Sequence, residues 1–367
     1  VYGTGSGVSI LDAVEAGSIQ ANLQSFMSAG GTTTGSVSGE TVALFSGGTK
    51  LYINDTLNLV KTTVTKSDLP TALKEETFSG NVDATVTQSI KIGNNPRITF
   101  EKQPTSSDDP SIILKTSTTS TLPMFNLTAT FNKAVNFSHA DSEGNSLTLF
   151  GMPVTIGSAT DTDTIVLLKS AEKLDLTSDA PTASVTIAGA TYTIELVSAS
   201  DTAATVKVTN SAGTSESKEI NEAASKKVSG ITMAVVTADE TNLRLSASII
   251  AGSDKITLED GNSVLIGEND NVVDGTTVEF GTGNPNNLTE LTILFDAPES
   301  DKDALKIGDS YTDPVFGTIK LNFAGVNIPE DSTARETISI KNDGDDKISV
   351  TFTEHRGKKI STIFAKN

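Results

Sequence analysis

The stretch VTIAGATYTIELVSASDTAATVKV, residues 185–208, shows most clearly how this chain folds. Apolar side chains recur at every second position within three runs, which is the period of a strand with one buried face. Breaks near Ala188-Gly189 and Ser200-Asp201 have the composition of tight turns. The stretch therefore predicts a three-stranded meander. Its alternating positions are Val185, Ile187, Tyr192, Ile194, Leu196, Val206 and Val208.

The same period-two pattern extends over most of the chain. Residues 125–131 alternate strictly, and residues 338–340 face residues 348–352 across the turn 342–346, which is a strong hairpin signal. No regular alternation of strands with long helical segments is present, so a doubly wound parallel sheet is disfavoured. We expect a mainly β protein with two to three β-sandwich-like (Ig-like) domains.

One segment has a helical period instead. Between residues 9 and 29 apolar side chains recur three and four positions apart, and Gly17 interrupts the pattern. The apolar positions are Ile10, Leu11, Val14, Ile19, Leu23, Phe26 and Met27. Residues 1–39 are therefore predicted to form a short N-terminal helical segment, one kinked helix or two, followed by a Gly-rich linker. We expect its apolar stripe to dock either on its own domain or on a neighbouring module or subunit.

Two polar breaks, at residues 138–145 and 281–287, divide the remainder of the chain. They predict β domains at residues 40–145, 146–280 and 281–367. The middle domain either follows the first or is inserted into it, and in the second case residues 281–367 pair with residues 40–145.

Charge and composition exclude several functions. The net charge is −19 with a pI near 4.5, and nucleic acid and anionic membranes attract positively charged surfaces instead. The chain has no Cys, which excludes disulfides and thiolate metal sites. We therefore expect no nucleic-acid partner, and a fold held by its core, its neighbours or ions.

Catalytic signals are weak. The only histidines are His139 and His355, and no phosphate-binding loop or dinucleotide fingerprint is present. With 46 acidic residues, pairs of carboxylates carry no information, and the lack of Trp removes the usual stacking surface for sugars. We expect no enzymatic activity and no required cofactor.

Calcium is the one ion that the sequence suggests, because acidic turns can supply its six to eight oxygen ligands. None of these turns matches an EF-hand loop, and Asp is also common in turns for purely local reasons. The predicted ligands are Asp343, Asp345 and Asp346 in one turn and Glu268, Asp270 and Asp274 in another, with Asp161 and Asp163 in a third.

Four Asn-x-Ser/Thr sequons predict N-glycosylation, at Asn54, Asn126, Asn136 and Asn287. The count alone is uninformative in a chain so rich in Ser and Thr. Placement says more, because strand alternation turns Asn54, Asn126 and Asn136 away from the apolar face.

The order of several hairpin segments resembles archaeal surface-layer (S-layer) proteins of the type in methanococci and small symbiotic archaea. The resemblance is clearest over residues 140–280. The segments are SLTLFG (146–151), VTIG (154–157), TIVLL (164–168), ATYTIELV (190–197), SKEI (217–220), SKKVSG (225–230) and KITLEDG (255–261).

This resemblance implies an exported, glycosylated structural subunit that forms a porous two-dimensional lattice at the cell surface. Its partner would be further copies of itself in a ring-forming homo-oligomer, with cations often required and anchoring through another protein, lipid or glycan. A surface filament subunit or adhesin, and a carbohydrate-active enzyme with accessory β domains, are the alternatives that share this composition.

Overall fold

The protein is mainly β, as the sequence predicts. The computed structural model describes residues 39–46, 49–102, 109–327, 335–344, 347–354 and 358–366, and the side chains of residues 364–366 are not described. The predicted N-terminal helical segment therefore lies outside the described residues, apart from Gly39. The chain divides into two compact units, one of Ser38–Asn322 and one of Val1–Val37 with Phe323–Asn367.

The described residues form 28 strands and two short 3₁₀ helices, Leu57–Leu59 and Pro285–Asn287. In chain order the strands are β1 (Thr63–Thr65), β2 (Glu76–Ser79), β3 (Asp83–Ile92), β4 (Arg97–Glu101), β5 (Ser111–Lys115), β6 (Phe125–Val135), β7 (Ser146–Leu149), β8 (Met152–Ile156), β9 (Thr164–Lys169), β10 (Glu172–Thr177), β11 (Thr182–Ile187), β12 (Ala190–Ser200), β13 (Ala203–Asn210), β14 (Ser215–Asn221), β15 (Ala224–Val228), β16 (Ile231–Thr241), β17 (Arg244–Gly252), β18 (Lys255–Glu259), β19 (Leu265–Ile266), β20 (Asn271–Val272), β21 (Thr276–Phe280), β22 (Leu288–Phe295), β23 (Ala304–Lys306), β24 (Ser310–Thr312), β25 (Lys320–Asn322), β26 (Ser339–Asn342), β27 (Lys347–Thr353) and β28 (Lys359–Lys366).

The large sheet of the first unit has the order β1-β3-β6-β22-β21, with β2 pairing on the same side of β3 as β1. Phe125, Leu127, Ala129 and Phe131 alternate along β6 and are all buried. The intervening side chains form a polar outer face. Because β6 pairs with β22, segments more than 150 residues apart share one sheet.

A second six-stranded sheet has the order β20-β19-β18-β9-β8-β7. Strands β9 and β18 pair with each other, yet the chain between them forms eight further strands, β10 to β17. These eight strands form two four-stranded sheets, β10-β17-β16-β15 and β11-β12-β13-β14. We call these eight strands the inserted sandwich, because the chain leaves the second sheet after β9 and returns to it at the neighbouring strand β18.

The inserted sandwich is held by one apolar core that draws side chains from both of its sheets. Ile194 and Val206 of one sheet and Met233 and Ile249 of the other are fully buried in this core. The predicted meander is confirmed as β11-β12-β13, with its turns at the predicted breaks. Alternation of apolar and polar side chains therefore accounts for the strands of this meander and for their buried face.

Two lysines protect the edges of the inserted sandwich where β14 meets β15. The Nζ atom of Lys218 donates to the Lys227 carbonyl at 2.6 Å, and that of Lys226 donates to the Glu219 carbonyl at 2.7 Å. Exposed strand edges are templates for uncontrolled pairing, and edge lysines are a common protection against it. Contacts between copies at this edge are therefore disfavoured.

A buried glutamine links the large sheet to the β7–β8 hairpin. Gln88 of β3 is 4% exposed, and its amide donates to the carbonyls of Lys74 and Thr148 at 2.8 and 3.1 Å. Its Oε1 accepts the Phe150 amide at 2.6 Å. Phe150 then contacts Phe316, with ring centroids 5.3 Å apart. We call this arrangement the Gln88 joint.

The loop that carries Phe316 is organised by one carboxylate. Asp313 is 1% exposed, and its two oxygens accept four backbone N–H groups. Its donors are Phe316, Gly317, Thr318 and Ile319, at 2.6, 3.1, 2.9 and 2.8 Å. A buried carboxylate with four donors fixes a loop firmly, since each bond is charge-assisted.

The second unit contains a separate antiparallel sheet, β26-β27-β28, which we call the C-terminal sheet. The predicted hairpin is confirmed, with Ile340 opposite Val350. Strand β28 then pairs along the other side of β27.

Candidate functional site

The outer face of the large sheet contains Asn126, one of the predicted glycosylation sites. Across β3, β6, β22 and β21 one row consists of Lys91, Asn126, Leu294 and Thr277. The same four residues contribute to the lining of a cleft of about 460 Å³. Most of the residues that line this cleft are polar.

Asn126 lies in this cleft, between neighbouring strands on both sides. It is half-buried, and its Oδ1 is buried without a hydrogen-bond partner. Thr128, the third residue of its sequon, is hydrogen-bonded to Thr292, with the two Oγ1 atoms 2.9 Å apart. The outward orientation is therefore as predicted, but the strands on either side limit access to the amide.

Asn136 follows the end of β6 rather than continuing it. Its Oδ1 accepts the Ser138 amide at 3.0 Å and the Ser138 hydroxyl at 2.9 Å. That hydroxyl also bonds to Asn286. Asn136 is half-buried, because its side chain closes a local turn instead of facing solvent as a strand residue would.

The other two sequons are exposed in turns. Asn54 has a φ of 74°, and its backbone N–H donates to the Ile98 carbonyl at 2.6 Å. Its side chain takes no part in this bond and is exposed. Asn287 ends the second 3₁₀ helix, and its carbonyl accepts the Thr282 hydroxyl at 2.6 Å. Asn54 and Asn287 therefore meet the accessibility that glycan transfer requires better than the two half-buried sequons.

The acidic loop at 268–274 does not gather its carboxylates. Asp270 forms an ion pair with Lys255 at 2.9 Å, and Glu268 accepts the Ser225 hydroxyl at 3.0 Å. Asp274 is exposed. Among the residues that the structure describes, no three carboxylate or histidine side chains form a group able to hold a metal ion.

The other acidic turns are placed as follows. Asp343 is exposed at the tip of the β26–β27 hairpin, whereas Asp345 and Asp346 lie outside the described residues. Asp161 Oδ1 accepts the amides of Asp163 and Thr164 and the Thr164 hydroxyl. Burial opposes ionisation of Asp161, but these hydrogen bonds outweigh it and hold its pKa below the usual value. Asp161 thus organises its own turn.

Histidine chemistry receives no support from the placement of His139. Its Nδ1 is 3.5 Å from Asp141 Oδ2 and accepts the Asp141 amide at 3.1 Å, in an exposed turn. His355 lies outside the described residues.

Two buried polar groups of the first unit have shifted pKa values, the carboxyl of Asp296 and the hydroxyl of Tyr311. Burial raises the pKa of Asp296, which is 6% exposed. Burial, and then the charges of Asp313 and Asp296, raise the pKa of Tyr311, whose hydroxyl is buried without a hydrogen-bond partner. Neither residue lines the outer-face cleft. Burial is the first cause of both shifts.

Sequence reasoning missed the tip of the β16–β17 hairpin. Asn242 and Leu243 have φ values of 55° and 63°, and Leu243 is 87% exposed. A left-handed backbone is unfavourable for a bulky residue, and Asn or Gly normally occupies such a turn. This tip is at the end of the inserted sandwich opposite to its two connections, since β10 runs from one connection towards the tip and β17 runs from the tip back to the other connection.

No protein-family model matches the chain, and no curated protein matches it either. The described residues contain no helix that is long and apolar enough to cross a membrane.

Proposed function

We propose that the chain is a structural subunit of a two-dimensional lattice at the cell surface. The observation that supports this most directly is the inserted sandwich, a double sheet with its own apolar core that is connected to the rest of the unit through two adjacent strands, β9 and β18. A pull on this module is resisted by backbone hydrogen bonds of both strands within one sheet. Such a construction suits a protein that transmits force between copies.

The extracellular part of the proposal rests on the resemblance of the segment order to archaeal S-layer proteins, which is read from the sequence alone. Exposed sequons at Asn54 and Asn287 fit a glycosylated outer surface. The Lys218 and Lys226 contacts fit a subunit that must assemble only through chosen surfaces, because they block edge pairing.

The excess of acidic residues affects how copies of the chain can assemble. The unit of residues 38–322 contains 20 basic and 37 acidic residues. Copies therefore repel one another at long range, and salt screens this repulsion beyond about 8 Å at physiological strength. We expect assembly to require salt or divalent cations, and calcium binding at the predicted acidic turns stays a prediction.

Leu243 is our proposed contact between copies. A bulky residue at positive φ costs about 1–2 kcal/mol, and strain of this kind is often retained where it has a function. Exposure of 87% leaves its side chain free to enter an apolar depression on a neighbour. Leu243→Gly should therefore raise stability and abolish assembly at the same time, whereas a purely structural turn would gain stability without loss of assembly.

Negative-stain microscopy of the purified chain, with calcium and with a chelator, tests the proposal. We expect ordered sheets in calcium and their loss on Leu243→Gly substitution. Filaments would support the adhesin or filament alternative, and dispersed particles under every salt condition would oppose a lattice. Turnover in a screen of glycan substrates would favour the carbohydrate-active enzyme.

A further inference from the structure

The C-terminal sheet has one apolar face that stays exposed. Ile348, Val350 and Phe352 alternate along β27 and share a face, with Ile340 opposite Val350 and Ile360 opposite Phe352. The opposite face is mostly polar: it contains Thr351 and Ser361, whose hydroxyl oxygens are 3.0 Å apart, and one exposed apolar residue, Ile363.

This face is too apolar and too open for an independent sheet. Ile340 is 68% exposed and Ile348 is 39% exposed, and Ile338, two residues before Ile340, is 68% exposed. A small sheet gains stability when its apolar face packs against another element such as a helix. Each fully buried Ile contributes about 1.5–3 kcal/mol, so a cover over this face is strongly favoured.

We infer that residues 9–29 of the same chain cover this face as an amphipathic helical segment. Their apolar side chains recur with helical period, and they belong to the 38 residues before Gly39 that lie outside the described part of the chain. A helix of residues 18–29 would be about 18 Å long. Strand β27 has seven residues and is about 23 Å long, so the two dimensions match.

Charge favours this occupant over a second copy of the sheet. Residues 9–29 contain Asp12 and Glu15 and no basic residue. Residues 338–366 contain six basic and four acidic residues, an excess of basic charge within a chain of net charge −19. The helical segment and the sheet therefore attract, whereas two such sheets repel. The inference does not depend on lattice formation.

Hydrogen exchange of the full chain tests the contact without knowledge of its register. Leu23→Asp places a charge on the apolar stripe of the segment, and Ser25→Asp places the same charge on its polar side. We expect amides of β27 to exchange about tenfold faster in Leu23→Asp than in wild type, and to be unchanged in Ser25→Asp. Equal exchange in the wild type and both variants would overturn the inference.

Engineered cysteine pairs identify the chain that supplies the cover, and the absence of native Cys makes the background clean. Leu23→Cys is combined with Ile340→Cys on the apolar face or with Lys341→Cys on the other face, and Ser25→Cys replaces Leu23→Cys as a second control. Under mild oxidation we expect an intrachain disulfide for Leu23 with Ile340 alone, seen by non-reducing electrophoresis and peptide mass. Disulfide-linked dimers would assign the cover to a second copy and overturn the inference, as would equal yields in all pairs.

Discussion

Replacing Gln88 should weaken the contact between the large sheet and the β7–β8 hairpin. Gln88→Leu keeps most of the volume but leaves the Lys74 and Thr148 carbonyls and the Phe150 amide without partners. Each orphaned buried group costs about 1–3 kcal/mol, and the added apolar burial returns about 1 kcal/mol. We therefore expect a loss of about 2–8 kcal/mol, which is a large share of the stability of an ordinary domain.

Urea unfolding followed by far-ultraviolet circular dichroism is the appropriate assay, because the chain has no Trp. Ser89→Ala, on the outer face of the same strand, is the matched control and should change stability by less than about 0.5 kcal/mol. A Gln88→Leu variant within about 0.5 kcal/mol of wild type would refute the role assigned to these hydrogen bonds.

Gln88→Glu gives a second, pH-dependent arm of the same test. At neutral pH a carboxylate would face the Lys74 and Thr148 carbonyls and repel both. The folded state would raise the pKa of this carboxyl, so the variant should regain stability as the pH falls and a proton becomes available for donation. A loss of stability that is constant between pH 7 and pH 4 would contradict this geometry.

Three further substitutions probe the core, the strained tip and a buried acid. Ile194→Ala, at 0% exposure in the inserted sandwich, should lower the free energy of unfolding by about 2–5 kcal/mol. The control Val197→Ala, at 48% exposure, should lower it by less than about 0.5 kcal/mol. Similar losses for both variants in urea unfolding would contradict the assigned core. Leu243→Gly should raise the melting temperature in calorimetry, because glycine adopts positive φ without steric penalty, and a lower value would argue against strain at the tip. Asp296→Asn should stabilise the fold at neutral pH and lose this advantage in acid. Because burial raises the pKa of Asp296 in the folded state, its carboxyl destabilises the fold once the pH is high enough to ionise it. A gain in stability that does not depend on pH would show another cause.

Local sequence patterns predicted the parts of the fold that depend on neighbours in sequence. The meander β11-β12-β13 and the hairpin β26–β27 follow from alternation and turn composition, because strand period and turn chemistry act within a few residues. The burial pattern of β6 follows for the same reason.

Long-range contacts could not be predicted in the same way. The pairing of β6 with β22, and of β9 with β18, depends on which apolar faces fit together across the whole chain. Gln88 is an example. In the sequence it looks like any polar residue of a strand, and its hydrogen-bond partners come from two other segments of the chain. A buried glutamine is recognisable only once those segments are placed.

The candidate sites were predicted in position more accurately than in environment. Asn126 faces outward, yet its neighbours on both sides half-bury it, which alternation along a single strand does not reveal. Asn136 was predicted as a strand residue, but a hydrogen bond from Ser138 to its side chain favours a turn. The strained Leu243 gave no signal in the sequence, because apolar residues at turns are not distinguished by period.

Electron cryotomography of the cells that make this protein, with gold-labelled antibody against the inserted sandwich, tests the central claim most directly. We expect the label to follow a periodic layer at the cell surface, at one fixed position in each repeat. Label confined to filaments, or found inside the cell and absent from any surface layer, would contradict a lattice-forming subunit.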